Sequence, residues 1–159
     1  GVRRCKPGSM QTLHEHLLGR WIGEGSGEYP TIQPFSYRET LEITAIPGKP
    51  LARWHSTTVD AATGEPRHSE TGFLRSAGDT CELMLAHNFG VTELTLAEPT
   101  IAGQYRFESQ SVTCSPTAKA VSAVVRTISA GADVLEYDLS MAAVGLDMTH
   151  HLSARLERS

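Results

Sequence analysis

Short segments rich in β-branched, aromatic and alternating apolar residues recur along this chain, and their spacing constrains the fold more than any other feature. They begin about every 8–15 residues and are separated by Gly, Pro, Asp and Asn. A first strand follows residue 19, and the later predicted strands are 35–46, 51–59, 72–74, 82–86, 91–96, 105–113, 121–128, 134–141 and 152–156. So many short strands with so little helix predict an antiparallel sandwich or barrel rather than a parallel α/β sheet.

Closure of such a sheet removes its exposed edges, so we expect an all-β fold with a single closed antiparallel β-barrel. About ten strands would enclose a ligand, because eight already leave room for a small molecule. The one predicted helix is short and solvated, at residues 11–18. His14 and His16 lie there, but residues two apart point in different directions on a helix and make a poor metal pair.

The chain has 159 residues, which fits one domain. Residues 1–9 resemble a leader, because Gly8 and Ser9 before Met10 look like a cloning remnant followed by a start codon. We therefore expect the barrel domain to span 10–159. The three cysteines include no CxxC spacing, which disfavours a disulfide framework or a structural zinc site.

The charge and the hydropathy of the chain disfavour two classes of partner, nucleic acids and membranes. With 14 basic and 18 acidic residues the net charge is −4, and a nucleic-acid-binding face would need clustered cations. We expect no nucleic-acid partner. No run approaches the roughly 18 apolar residues of a membrane span, and no signal-peptide pattern is present. We therefore expect a cytoplasmic protein with no membrane partner.

The first predicted strand contains glycine at alternate positions, Gly23, Gly25 and Gly27. Two interpretations remain open. The glycines indicate either a sharply coiled strand, with Trp21 filling the floor of the barrel, or a face cleared for a bulky ligand. A phosphate-binding loop is disfavoured, because no helix pattern follows the glycines.

The run from Gly19 through Trp21 and the three glycines to Tyr29-Pro30-Thr31-Ile32 resembles the signature of the nitrobindins, a family of small haem-binding β-barrels. The pattern is similar to that of mycobacterial-type members. The resemblance extends over residues 17–158 in order and without large gaps. Further matching segments are 34–39, 68–75, 85–93, 116–119, 140–142 and 151–154.

This resemblance implies that the chain binds one haem b as Fe(III) through a single histidine in a His-Leu step. His151-Leu152 supplies that step, which makes His151 the expected metal ligand and catalytic residue. Strand alternation instead groups His150 with the apolar Leu152, so His150 remains a competitor. The resemblance also implies nitric oxide binding and isomerisation of peroxynitrite to nitrate.

Five further residues match pocket positions of the family, and each has an ordinary alternative role. His68 and His87 are either polar neighbours of the haem or hydrogen-bonded barrel histidines. Met141 is either pocket lining or plain core. Lys119 is either a rim contact for a haem propionate or a solvated loop lysine. Thr31 either contacts the other face of the haem or ends a turn.

No arrangement for acid–base catalysis is evident, since Glu39, Glu70 and Glu93 are scattered along the sequence. The second hypothesis for function is a haem-free carrier of a fatty acid or another small hydrophobic ligand in the same barrel. Such a carrier needs no metal ligand, and it would show basic residues inside the barrel to meet a carboxylate. The oligomeric state is open, with a homodimer as one assembly to test.

Overall fold

The computed structural model describes residues 12–98, 101 and 103–159, with side chains from residue 14 onward. Ten antiparallel strands form a closed barrel in which each strand pairs with the next and β10 pairs with β1. This confirms the predicted closed all-β barrel. The strands are β1 (Gly19–Tyr29), β2 (Ile32–Ala45), β3 (Leu51–Asp60), β4 (Pro66–Ala77), β5 (Thr80–His87), β6 (Val91–Ala97), β7 (Gln104–Cys114), β8 (Val121–Ala130), β9 (Val134–Ala143) and β10 (Thr149–Arg158).

One helical turn, α1 (Thr12–Glu15), precedes the barrel where the short helix is predicted, although Gln11 lies outside the described residues. The expectation that this segment is solvated holds only in part, because Glu15 and His16 are exposed and His14 is not. The His14 side chain is buried, and its Nδ1 lies 2.7 Å from the hydroxyl of Ser76 on β4. Within the ranges that the structure describes, no helix has the length and apolar character needed to cross a membrane.

The apolar core includes Trp21 of β1, which is fully buried. Its indole Nε1 donates a hydrogen bond of 2.9 Å to the carbonyl oxygen of Leu17, and the guanidinium of Arg158 lies 4.1 Å from the centre of its ring. The position of Trp21 next to the segment that follows α1 agrees with the interpretation that it fills one end of the barrel.

The alternating glycines of β1 leave space for side chains of β2 and for the backbone of β10. A Cβ on Gly25 would overlap the ring of Tyr37 on β2, and a Cβ on Gly27 would overlap the ring of Phe35. A Cβ on Gly23 would instead meet the backbone of β10. The glycines therefore permit close approach, and two aromatic rings occupy the space that they clear on the side of β2.

Candidate functional site

The topology brings the six predicted site residues to one end of the barrel. Sequential antiparallel strands place alternate hairpin turns at the same end. The turns β1–β2, β3–β4, β5–β6, β7–β8 and β9–β10 thus share one end, which we call the mouth. Near these turns lie the predicted residues, in chain order Thr31, His68, His87, Lys119, Met141 and His151.

A β-bulge near the start of β10 decides which of the two adjacent histidines faces inward. His150 pairs with Ser140 of β9 and Leu152 pairs with Leu139, so His151 is an extra residue without a direct partner. A bulge of this kind interrupts the alternation of side chains along a strand. His150 consequently leaves the face on which Leu152 packs against the core.

His151 is half-buried beside two aromatic rings at the mouth. The centre of its imidazole lies 5.6 Å from that of Tyr29 and 6.3 Å from that of Phe35. Its Nδ1 lies 2.9 Å from the carbonyl oxygen of Glu28. Because a carbonyl oxygen can only accept, Nδ1 carries the proton and Nε2 retains its lone pair. Burial lowers the pKa of His151, which favours the neutral imidazole that binds metals.

His150 lies among polar groups on the outer surface of the barrel. Its Nδ1 is 3.0 Å from a carboxylate oxygen of Glu28, and its Nε2 is 3.1 Å from Asp138 and 2.8 Å from the hydroxyl of Ser153. Desolvation opposes the charge, but the hydrogen bonds to the two carboxylates raise the pKa of His150 overall. Both ring nitrogens of His150 are thus engaged by hydrogen-bond partners, and the raised pKa favours the protonated form, which has no lone pair for a metal.

His68 and His87 form a stacked pair on the wall made by β4 and β5. Their ring centres are 5.1 Å apart, and Nε2 of His68 lies 2.8 Å from Nδ1 of His87. The ring of Phe89, which is 50% exposed in the β5–β6 turn, lies 5.4 Å and 5.3 Å from the two imidazoles. Desolvation lowers the pKa of His68. The two histidines and Phe89 therefore form one contiguous surface at the mouth.

Beneath this surface, two carboxylates share the buried guanidinium of Arg126 on β8. Its Nη1 lies 3.2 Å from Glu93 and its Nη2 lies 3.4 Å from Glu70. Glu93 also accepts a hydrogen bond of 3.0 Å from Nε2 of His87, and Glu70 accepts one of 3.2 Å from the indole of Trp54. The pKa of Glu93 is lowered although burial alone would raise it, because Arg126 and His87 stabilise the carboxylate.

Glu39 joins the same interior from β2. Its carboxylate accepts a hydrogen bond of 2.6 Å from Ser56 and another from the hydroxyl of Tyr137, which also contacts the hydroxyl of Tyr37 at 2.7 Å. Burial raises the pKa of Glu39 to about 7. Glutamates that are scattered along the sequence are therefore collected inside the barrel, with Arg126, which the sequence reasoning missed. The sequence signal that could have found these residues is strand alternation, because every second side chain of a strand points into the barrel.

Comparison with known proteins identifies the family. Residues 11–158 match the THAP4-like, heme-binding beta-barrel domain. This chain belongs to that family. The resemblance to the haem-binding barrels on which the sequence argument relied is thereby confirmed.

Individual members of the family cover nearly the whole chain. A protein of Mycobacterium marinum named peroxynitrite isomerase 2 is 42% identical over 146 residues, which cover 89% of this chain and 90% of that protein. A peroxynitrite isomerase of Nocardia farcinica is 44% identical, covering 89% of this chain and 86% of the relative. The crystal structure of Rv2717c from M. tuberculosis superposes with a TM-score of 0.87 at 37% identity, over 97% of this chain and 99% of that one.

Three further residues that are expected to contact haem lie at exposed or half-buried positions of the barrel. Thr31 is exposed in the β1–β2 turn, and Lys119 is exposed in the β7–β8 loop. Met141 is half-buried near the end of β9, where its carbonyl oxygen accepts a hydrogen bond of 3.0 Å from the hydroxyl of Tyr29. All three lie near the mouth.

The residues present fit a haem at the mouth. The imidazole of His151 has a lowered pKa, is oriented by a backbone carbonyl and is bordered by aromatic rings, which are properties of a histidine that could bind haem iron. The exposed apolar side chains near the mouth add hydrophobic surface; they are Ile32, Phe89, Val144, Leu146 and Met148. The chain thus offers a metal ligand and apolar contacts at the same end of the barrel.

Proposed function

We propose that this chain, over residues 10–159, binds one haem b as Fe(III) through Nε2 of His151 and isomerises peroxynitrite to nitrate. The observation that carries the proposal is the hydrogen bond from Nδ1 of His151 to the carbonyl oxygen of Glu28, which leaves Nε2 able to bind a metal. The names of the relatives from M. marinum and N. farcinica support the activity. When bound, ferric haem would supply a Lewis-acidic iron, which also accounts for the proposed binding of nitric oxide.

The residues of the chain would hold the haem and limit access to it. Tyr29 and Phe35 border His151 and restrict its ring orientation. We propose His68 and His87 as polar neighbours of the haem on the wall opposite His151. Around the barrel, four strands lie between β5 and β10 in one direction, and three lie between β4 and β10 in the other. Thr31, Met141 and Lys119 are proposed further contacts, with Lys119 meeting a propionate at the rim. The cytoplasmic location and the homodimer stay predictions.

The alternative of a fatty-acid carrier is less consistent with the interior. A carrier would use a cation inside the barrel to meet the carboxylate of the ligand. Among the described residues, Arg126 is a cation buried there, and its guanidinium already contacts Glu70 and Glu93. A fatty acid would have to replace these ion pairs, so this interior favours the haem hypothesis.

The activity test is stopped-flow decay of peroxynitrite with the nitrate yield quantified, on the haemin-loaded chain, on the His151→Ala variant with haemin, and on free haemin at the same concentration. We expect faster decay and a higher nitrate yield with the wild-type chain than with either comparison. A wild-type rate no higher than that of free haemin would contradict the enzyme proposal. If haemin gives no shifted Soret band and fatty acids bind, the carrier hypothesis replaces it.

A further inference from the structure

Three side chains on the wall made by β4 and β5 have the composition of a metal site distinct from His151. His68, Glu70 and His87 each present one ligand atom, and these atoms all lie within 4.8 Å of one another. Two imidazoles and one carboxylate form a common ligand set for divalent transition metals, including Zn²⁺. We propose that, in the haemin-free chain, His68, Glu70 and His87 bind one divalent transition-metal ion, of which Zn²⁺ is the probe.

The distances between the ligand atoms match the edges of a coordination polyhedron. Nε2 of His68 lies 2.8 Å from Nδ1 of His87, which lies 3.4 Å from Oε2 of Glu70. The third edge, from Nε2 of His68 to Oε2 of Glu70, is 4.0 Å. Tetrahedral bonds of the usual length to zinc give edges of about 3.4 Å. Two of the three edges differ from this length by about 0.6 Å, so side-chain adjustments of about half an ångström would bring all three atoms to bonding distance.

A second carboxylate already orients one of the ligands. Nε2 of His87 lies 3.0 Å from the carboxylate of Glu93, which can only accept, so Nε2 carries a proton; in the neutral ring Nδ1 then presents its lone pair toward Glu70 and His68. A carboxylate that accepts from the distal nitrogen of a histidine ligand is the usual outer contact of zinc-bound imidazoles. This orientation exists in the chain before any metal binds.

The charge of the cluster also favours a cation. Glu70 and Glu93 are carboxylates that share the guanidinium of Arg126, and desolvation lowers the pKa of His68, which favours its neutral form. With both imidazoles neutral, the two carboxylates and the guanidinium carry a net charge of −1 in a largely buried setting, where a cation gains more than it would in water. Arg126 contacts Glu70 at 3.4 Å, a long ion pair that leaves lone pairs of the carboxylate for a metal.

An ion could reach the cluster from the mouth. The side chain of His68 is 26% exposed, whereas those of Glu70 and His87 are nearly buried. Binding requires the proton of His68 to move from Nε2 to Nδ1, with no net change in protonation. Three protein ligands leave a fourth tetrahedral position for water.

The test is isothermal titration of the full, haemin-free chain with Zn²⁺, together with the visible spectrum of Co²⁺ as a readout of coordination geometry. We expect one ion per chain with micromolar or tighter affinity and a tetrahedral Co²⁺ spectrum. Glu70→Gln keeps the shape and the hydrogen bond to Trp54 but removes the anionic ligand, so the affinity should fall at least about tenfold. His68→Gln, at a partly exposed position, provides a second variant should Glu70→Gln fail to fold.

Two control variants separate this site from other histidines. His55→Ala removes an exposed histidine of β3 and should leave Zn²⁺ binding unchanged. His151→Ala should also retain Zn²⁺ binding while it loses haemin, which separates failure of this proposal from failure of the haem proposal. Binding that is unaffected by both Glu70→Gln and His68→Gln, or the absence of saturable binding to the wild-type chain, would overturn the proposal.

Discussion

Nδ1 of His151 donates a hydrogen bond of 2.9 Å to the carbonyl oxygen of Glu28, and this contact sets both the tautomer and the direction of the imidazole. The carbonyl belongs to β1, which pairs with β10 around the closed barrel. The ring is therefore held by the backbone of the neighbouring strand, and a substitution of the Glu28 side chain would leave this acceptor in place. A preoriented neutral imidazole loses little freedom when it binds iron.

His151→Ala should lower haemin affinity at least about tenfold and change the Soret band, because it removes the proposed iron ligand. His150→Ala is the matched control, since its ring is held outside by Glu28, Asp138 and Ser153. A haemin titration followed by Soret absorbance measures both variants. Loss of the band in His150→Ala with retention in His151→Ala would reverse the assignment.

Glu39 should make the folded state less stable as the pH rises. Its pKa is about 7 in the folded chain against an ordinary value of 4.5, because burial disfavours the carboxylate. The folded state therefore holds the proton more tightly than the unfolded state between those values, and stability is lost as the pH rises through this window. Arg126 and the hydroxyls of Ser56 and Tyr137 partly offset the cost of the charge, and Glu70 adds to it.

The measurement is the free energy of unfolding by urea at pH 5 and pH 8, for the haemin-free wild type and for Glu39→Gln. The wild type should lose on the order of 2–3 kcal/mol relative to the variant over this range, at about 1.4 kcal/mol for each unit of pKa shift. Other titrating groups are common to both proteins and cancel in the difference. Parallel pH profiles for the two proteins would show that Glu39 titrates normally.

Arg126→Met should destabilise the barrel by about 3–5 kcal/mol, because it leaves the carboxylates of Glu70 and Glu93 buried without their shared cation. Arg155→Ala is the control: its ion pair with Glu136 is largely exposed and should contribute less than about 1 kcal/mol. Urea unfolding at pH 7 measures both. Equal small effects would mean that the interior pairs are as well solvated as the surface pair.

Gly25→Ala should cost roughly 1–3 kcal/mol, because the new methyl group would overlap the buried ring of Tyr37 and displace its hydroxyl from Tyr137. Gly131→Ala is the matched substitution, since the nearest atom to its Cβ is 3.8 Å away. Thermal unfolding compares the two variants. A melting temperature for Gly25→Ala as high as that for Gly131→Ala would show that the ring of Tyr37 can move freely.

The sequence by itself determined the architecture. Alternating apolar residues and regularly spaced turns define ten antiparallel strands, since each signal lies within one strand or one hairpin. The same local reading placed His14 in solvent, whereas the structure buries it against Ser76, because burial depends on what the rest of the chain brings to the site.

Only the tertiary structure decided the content of the site. Glu39, Glu70, Glu93 and Arg126 lie far apart in sequence, and their association depends on strand register and closure of the barrel. The choice between His150 and His151 depends on one bulge in the pairing of β10 with β9. A shift of the pairing register by one residue exchanges the two faces of a strand. The alternation of residues along a single strand does not show whether such a shift occurs.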